Sequence, residues 1–172
     1  EPGLRVGLAA SFGQFTGNDV PAPELPDRFI NDESVGFKLY SQYQFNDWFG
    51  VEGAYHYTND FEGESKSPAL PGNLKITFSG YSLQGVLYAP TSIEDFEAYL
   101  KAGWYDFDDD LDVNGVDGGS SSERGLVAGA GAIMRFSDRL GLRADFDWFD
   151  ADVGDLYSVN IGVEYYFGAL GQ

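Results

Sequence analysis

Three groupings of side chains in this sequence have the residue types and spacing for chemistry. The first is Asp108, Asp110, Asp112, Asn114 and Asp117. Within it, Asp110-Leu111-Asp112-Val113-Asn114-Gly115 sets oxygen ligands at alternate positions before a sharp-turn glycine, as in the first half of a calcium loop. The twelfth position of such a loop is Ser121 rather than a bidentate Glu, and no helical pattern flanks it, so two readings stand: a Ca2+ site, or a solvated acidic loop. The second grouping is Asp145 and Asp147, two residues apart and so on one side of an extended chain. Basic residues are plentiful around them, and structural pairing is expected there rather than acid-base work. The third is His56, the single histidine. No outward Ser and acid stand near it to complete the surface triad that a barrel-borne lipid hydrolase needs, so the chain is expected not to be an enzyme.

Composition narrows the partners. With 28 Asp+Glu against 10 Lys+Arg the net charge is -18, and a polyanionic nucleic acid would be repelled. The absence of cysteine removes disulfides, thiolate metal sites and thiol nucleophiles. No apolar run reaches the roughly 18 residues of a transmembrane helix. No basic-plus-apolar leader opens the sequence, so an exported protein would be met here in its mature form. Fourteen Phe, 11 Tyr, 3 Trp and 23 Gly favour an all-β chain of one domain, residues 1–172.

The elements that must position these groups are strands. Leu4, Val6, Leu8, Ala10 and Phe12 alternate with Arg5, Gly7, Ala9 and Ser11, and the same period of two recurs along the chain. Eight strands are expected near 4–14, 34–45, 49–57, 74–89, 96–105, 124–136, 141–149 and 156–167. The links after the second, fourth and sixth are short turns. Those after the first, third and fifth are long, polar and Gly/Pro-rich: Phe15 to Glu33, Thr58 to Asn73 and Asp106 to Glu123. Asp150 to Asp155 is short and acidic.

Eight strands close either as a soluble barrel with an apolar interior or as a membrane barrel turned inside out. The charges decide between them. One face of every strand carries no ionisable group except tyrosine. The other carries Arg5, Lys38, Lys101, Arg135 and Arg143 with Glu52, Glu97, Asp145, Asp147 and Glu164, five of each sign. A lumen of eight strands is only wide enough for side chains to fill, so bulky aromatics from nearly every strand cannot all point inward. The mixed-sign face therefore lines the lumen and the uncharged face meets lipid. Because the luminal charges cancel, the whole net charge lies outside, mostly on the long-loop side. Aromatics fall in two bands: Phe45, Trp48, Phe49, Phe96, Phe136, Tyr165 and Phe167 at the short-turn end, and Phe12, Tyr55, Tyr57, Tyr81, Trp104, Trp148 and Tyr157 at the other. Lys75 to Gly80 holds no clean register and is expected to project beyond the bilayer or to contain a bulge.

These features resemble the outer-membrane protein A (OmpA-like) type of eight-stranded β-barrel, among the small barrels of the porin superfamily. The resemblance covers nearly the whole chain. It rests on Tyr43-Gln44-Phe45-Asn46-Asp47-Trp48-Phe49-Gly50-Val51-Glu52, on Phe136-Ser137-Asp138-Arg139-Leu140-Gly141-Leu142-Arg143-Ala144-Asp145, and on the closing Gly162-Val163-Glu164-Tyr165-Tyr166-Phe167. Asn160, Gly162, Tyr165 and Phe167 are similar to the assembly signal of such barrels. The resemblance implies an up-and-down antiparallel transmembrane barrel with short periplasmic turns and long extracellular loops, in the outer membrane of a Gram-negative bacterium after removal of a signal peptide. It also implies lipid and lipopolysaccharide as surroundings, the barrel-assembly machinery as a partner in biogenesis, and an interior that acts as a plug, sometimes gated by exchange of salt-bridge partners.

Isolated ions in so narrow a lumen would cost several kcal/mol each, so a ladder of ion pairs is expected. Glu52, Lys101 and Arg143 belong near mid-barrel, and Glu97, Arg135 and Glu164 towards the short turns. Two classes of function follow. One is a structural, surface-exposed barrel with a closed lumen and acidic loops that meet lipopolysaccharide, divalent ions or a surface protein. The other is a low-conductance channel for small ions or, as in barrels that resemble the OmpW group, for small apolar molecules. A calcium-dependent surface interaction or adhesion through the third loop is a further alternative. The apolar outer stripe predicts that the purified chain stays monodisperse only in detergent, as size-exclusion chromatography with and without micelles will read out.

Overall fold

The computed structural model describes residues 2–17, 33–65, 72–89, 91–113, 116–151 and 154–168. They form eight strands: β1 (Gly3–Gly17), β2 (Glu33–Gln44), β3 (Phe49–Ser65), β4 (Gly72–Ala89), β5 (Phe96–Val113), β6 (Val116–Arg135), β7 (Leu140–Ala151) and β8 (Gly154–Gly168). Each pairs antiparallel with its sequence neighbours, and β1 closes on β8 through pairs such as Leu8↔Val163. Closure satisfies the backbone without leaving an edge in lipid, which a membrane-spanning sheet requires.

Side chains locate the turns at one end. Between β2 and β3, the Asn46 Oδ1 accepts from the amides of Trp48 at 3.0 Å and Phe49 at 2.9 Å, an Asx-type turn. Ser137 does the same between β6 and β7, where its Oγ accepts from the Leu140 amide at 3.0 Å. Asp95 takes a left-handed conformation (φ 63°) just before β5, one of the residue types that tolerates it.

At the other end the strands run further than the sequence suggests. The expected long loop from Asp106 to Glu123 is mostly strand: β5 continues to Val113 and β6 starts at Val116, with Asp112 opposite Asp117. In the same way β3 extends past Thr58 to Ser65. The physical reason is visible on the outward face, where the last lipid-type residue of each strand is followed two positions on by a polar one. Phe12 gives way to Gln14, Tyr57 to Asn59, Tyr81 to Ser79, Trp104 to Asp106, Trp148 to Asp150 and Tyr157 to Asp155. Period two persists across that line; only the solvent changes from lipid to water. The irregularity expected in Lys75 to Gly80 lies across the ladder instead: pairing steps from Thr58↔Phe78 to Phe61↔Ile76, which puts the extra residue on β3.

Exposure follows the alternation. Leu8, Leu39, Leu83, Leu100, Leu126, Ile161 and Val163 are all about half exposed, on the surface that lipid covers, whereas Arg5, Lys38, Glu52 and Asp147 are 0% exposed.

Two glycines seat the inward rings of Tyr40 and Tyr99. Tyr40 lies across Gly7, its β1 partner, and a Cβ built on Gly7 would stand 2.2 Å from the ring's Cζ. Tyr99 lies across Gly131 of β6 in the same way, with 2.3 Å to its hydroxyl. We expect Gly7→Val and Gly131→Val each to lower unfolding stability by about 1–3 kcal/mol, the usual effect of overpacking. Gly53→Ala, on an outward site with open space around its Cβ, should leave the thermal midpoint unchanged, as heat-modifiable gel mobility will report.

Candidate functional site: the luminal ion cluster

The inward positions of β2, β3, β5 and β7 bring three cations and three anions together at mid-barrel. Lys38 Nζ lies 3.0 Å from Glu52 Oε1, 3.0 Å from Asp147 Oδ2 and 3.5 Å from Asp145 Oδ1. Lys101 Nζ lies 2.7 Å from Asp147 Oδ1, 3.2 Å from Asp145 Oδ1 and 3.6 Å from Glu52 Oε1. Arg143 reaches Glu52 Oε2 through Nη2 at 2.5 Å and Asp145 Oδ2 through Nε at 2.7 Å. Every carboxylate meets at least two cations, and none of the six side chains is more than 1% exposed.

Neutral groups complete the shell. Arg143 donates from Nη1 to Gln42 Oε1 at 3.1 Å, and its guanidinium makes cation-π contacts with the rings of Tyr40 (4.1 Å) and Tyr99 (4.8 Å). The Tyr99 hydroxyl donates to Asp145 at 3.2 Å. Asn160 donates from Nδ2 to Asp145 at 2.7 Å and Asp147 at 3.0 Å, while its Oδ1 accepts from Ser11 and Ser158 at 2.7 and 3.0 Å.

A second cluster sits towards the short turns. Arg5 makes a two-pronged contact with Glu97 at 2.7 and 3.2 Å, approaches Glu164 at 3.5 Å and donates to Gln44 at 2.7 Å. Arg135 also bonds Glu97, and the Tyr40 hydroxyl donates to Glu164 at 3.2 Å. Here Arg135 and Glu97 are 31% and 24% exposed, which marks the mouth of the lumen. Both clusters are neutral: three of each sign above, two of each below. Substrate chemistry is poorly served by such an arrangement, because every acid and base already holds a resident partner.

The remaining candidate residues divide. Asn160 and Gly162, taken from the sequence as part of an assembly signal, face the lumen; Asn160 is 1% exposed, and a Cβ on Gly162 would meet the Leu8 carbonyl oxygen at 2.2 Å. Phe167 is exposed outward, and Tyr165 accepts from Arg139 Nη1 at 3.1 Å. Asp108 and Asp110 are exposed on β5, which is strand rather than loop at these positions. Asn114 and the side chains of Asp112 and Asp117 lie outside the described residues. No group of three or more metal-type ligands occurs among the described residues. His56 is buried with its Nε2 2.9 Å from Ser82 Oγ.

Sequence reasoning missed Asn160 as a hub of the network, although its inward phase and its position opposite Asp145 would have placed it there. It also missed Phe107, Phe149 and Leu156, which are buried inside the barrel; among the described residues the inward aliphatics larger than Ala are Val86, Val127, Ile133 and Leu156.

Comparison with known proteins bears on this arrangement. The family model described as outer membrane protein beta-barrel domain matches residues 1–167. Among solved structures, Neisserial surface protein A is 14% identical over 95% of this chain and 97% of its own, with a TM-score of 0.72. The outer membrane protein OprG from Pseudomonas aeruginosa is 15% identical over 98% of each chain, with a TM-score of 0.71. Ail, the attachment invasion locus protein of Yersinia pestis, in complex with the heparin analogue sucrose octasulfate, is 16% identical over 97% of this chain and 99% of its own, with a TM-score of 0.67. At these identities the likeness shows the fold. No curated protein matches the chain.

Breaking a buried pair by removing one partner leaves an uncompensated charge and typically costs about 3–5 kcal/mol. Glu52→Gln and Arg143→Met are each expected to destabilise the barrel on that scale in urea. The double substitution should cost clearly less than the two together, since it removes both signs at once.

Proposed function

The chain belongs to the outer membrane protein β-barrel family, and from that premise we propose that it is a structural, surface-exposed barrel with a closed, charge-paired lumen and an acidic outer rim. The observation that carries this reading is the mid-lumen cluster, in which three cations and three carboxylates neutralise one another at 3.6 Å or less while almost fully buried. An ion path needs sites that a passing ion can enter and leave. Here resident side chains occupy every such site, and displacing one would expose its partner in a space without bulk water.

The rim supplies the surface role. Asp106, Asp108 and Asp110 stand exposed at alternate positions of β5, just above Trp104, at the height where the outward face passes from lipid to water. Carboxylates there meet the phosphates of lipopolysaccharide only through divalent counter-ions, so loose cation bridging is assigned to them rather than a built calcium site. The polyanionic ligand solved with Ail is a poor match for a chain of net charge -18, and an attachment role of that ligand class is not carried over. Tyr165 and Phe167 remain on the lipid side of β8, where the barrel-assembly machinery would read them.

The alternative of an exit for small apolar molecules wants an open apolar funnel. Among the described residues, the inward apolar side chains are instead buried against one another. Planar-bilayer recording tests the choice. The reconstituted chain is expected to give no resolved current steps, and liposomes that carry it should not swell in small-sugar gradients; stable steps in most insertions would reject the closed lumen.

A further inference from the structure

Read from the loop side, the inward positions of β5 run Phe107, Tyr105, Gly103, Lys101, Tyr99, Glu97, and those of β7 run Phe149, Asp147, Asp145, Arg143. Both begin apolar and turn charged. At the apolar level the rings of Tyr105, Phe107 and Phe149 form a triangle with centroids 4.7, 5.0 and 5.4 Å apart. Val127 and Leu156 complete the cluster and Phe78 packs against it. His56 closes the layer from below, 5.6 Å from the Phe107 ring and edge-on to Phe149 at 5.4 Å. Six of the eight strands, β3 to β8, thus supply a side chain to one apolar septum. No cluster member is more than 5% exposed.

The ion cluster beneath it is poorly built to move. All three nitrogens of the Arg143 guanidinium hold a partner, at 2.7, 3.1 and 2.5 Å. The guanidinium also lies 4.1 and 4.8 Å from the ring centroids of Tyr40 and Tyr99, which are seated on Gly7 and Gly131. A swing to a new partner would have to displace a ring with no room behind it. Because each carboxylate is shared by two or three cations, loss of one contact also leaves the rest of the cluster neutral to within one charge.

We infer that the barrier to water and ions in this lumen is the ring septum of Tyr105, Phe107 and Phe149, and that the ion cluster is a structural core rather than a gate. An apolar constriction excludes water because its side chains do not replace the hydrogen bonds that water gives up, and the one hydroxyl among these three rings, that of Tyr105, already donates to the Asp150 carbonyl at 2.9 Å. This inference rests on the closed lumen proposed above and names the layer that closes it.

The absence of cysteine gives a clean probe. Ser82 lies directly under the septum, 5% exposed and bonded to His56, so Ser82→Cys places one thiol on its inner side. The parent carrying Ser82→Cys is reconstituted in proteoliposomes or displayed on cells, and a membrane-impermeant cationic thiol reagent is added from the loop side. It is expected to stay unlabelled and non-conducting. Adding Phe107→Ala with Phe149→Ala should give labelling and current steps, whereas adding Glu52→Gln with Arg143→Met should give neither. Phe149→Gln, which wets the septum without emptying it, should label, and Phe149→Leu should not; this pair serves if the double alanine variant does not fold by heat-modifiable mobility. A parent that labels and conducts defeats the closed lumen itself. A closed parent in which the septum variants stay closed, or in which Glu52→Gln with Arg143→Met opens the lumen, overturns the septum alone.

Discussion

The narrowness of an eight-stranded lumen is the constraint on which the rest of this molecule depends. A channel of that width holds side chains but little water, so a charge placed there must find its counter-charge in protein. Two neutral clusters meet that demand, one of three acids with three bases and one of two with two. Apart from Arg143 with Asp145 on β7, the ion pairs join different strands. Lys38 of β2, Glu52 of β3, Lys101 of β5 and Asp147 of β7 meet only because the sheet closes on itself.

Charge pairing alone would leave room for motion, and the aromatic residues remove it. Tyr40 and Tyr99 both make cation-π contacts with Arg143, and each ring occupies a notch left by a glycine on the neighbouring strand. The sequence feature behind this, a tyrosine opposite a glycine on the inward face, occurs at Gly7 with Tyr40 and at Gly131 with Tyr99. Glycine weakens a strand through its backbone entropy. At these two positions the space it leaves admits a ring, which offsets that loss with contact area and a cation-π interaction.

The outside obeys a different solvent. Apart from Ser41 of β2, the outward residues are apolar or glycine for as long as lipid faces them and turn polar at the outer boundary. Trp104 followed by Asp106 on β5 draws that line most sharply. One alternating pattern therefore encodes two interfaces in succession, and pairing resumes beyond the register shifts at Thr58/Phe61 and Asp110/Asp112. Because the luminal ion pairs cancel, the -18 charge of the chain lies outside the lumen.

What the amino-acid order determined by itself was everything that depends on period two: the number of strands, which face meets lipid, which ten ionisable groups point inward, and the short turns marked by Asn46 and Ser137. These are local properties, since a residue's face follows from its parity within the strand. Strand ends on the loop side were not legible, because Asp106 to Asp112 is charged and looks like loop unless one knows at what height the surrounding solvent becomes water. Nor could parity say which cation meets which carboxylate, that Asn160 would bridge Asp145 and Asp147, or that Phe107 and Phe149 would stack across the lumen. Such contacts join strands distant in sequence, and strand tilt and closure alone set the height at which each inward side chain meets those from across the barrel.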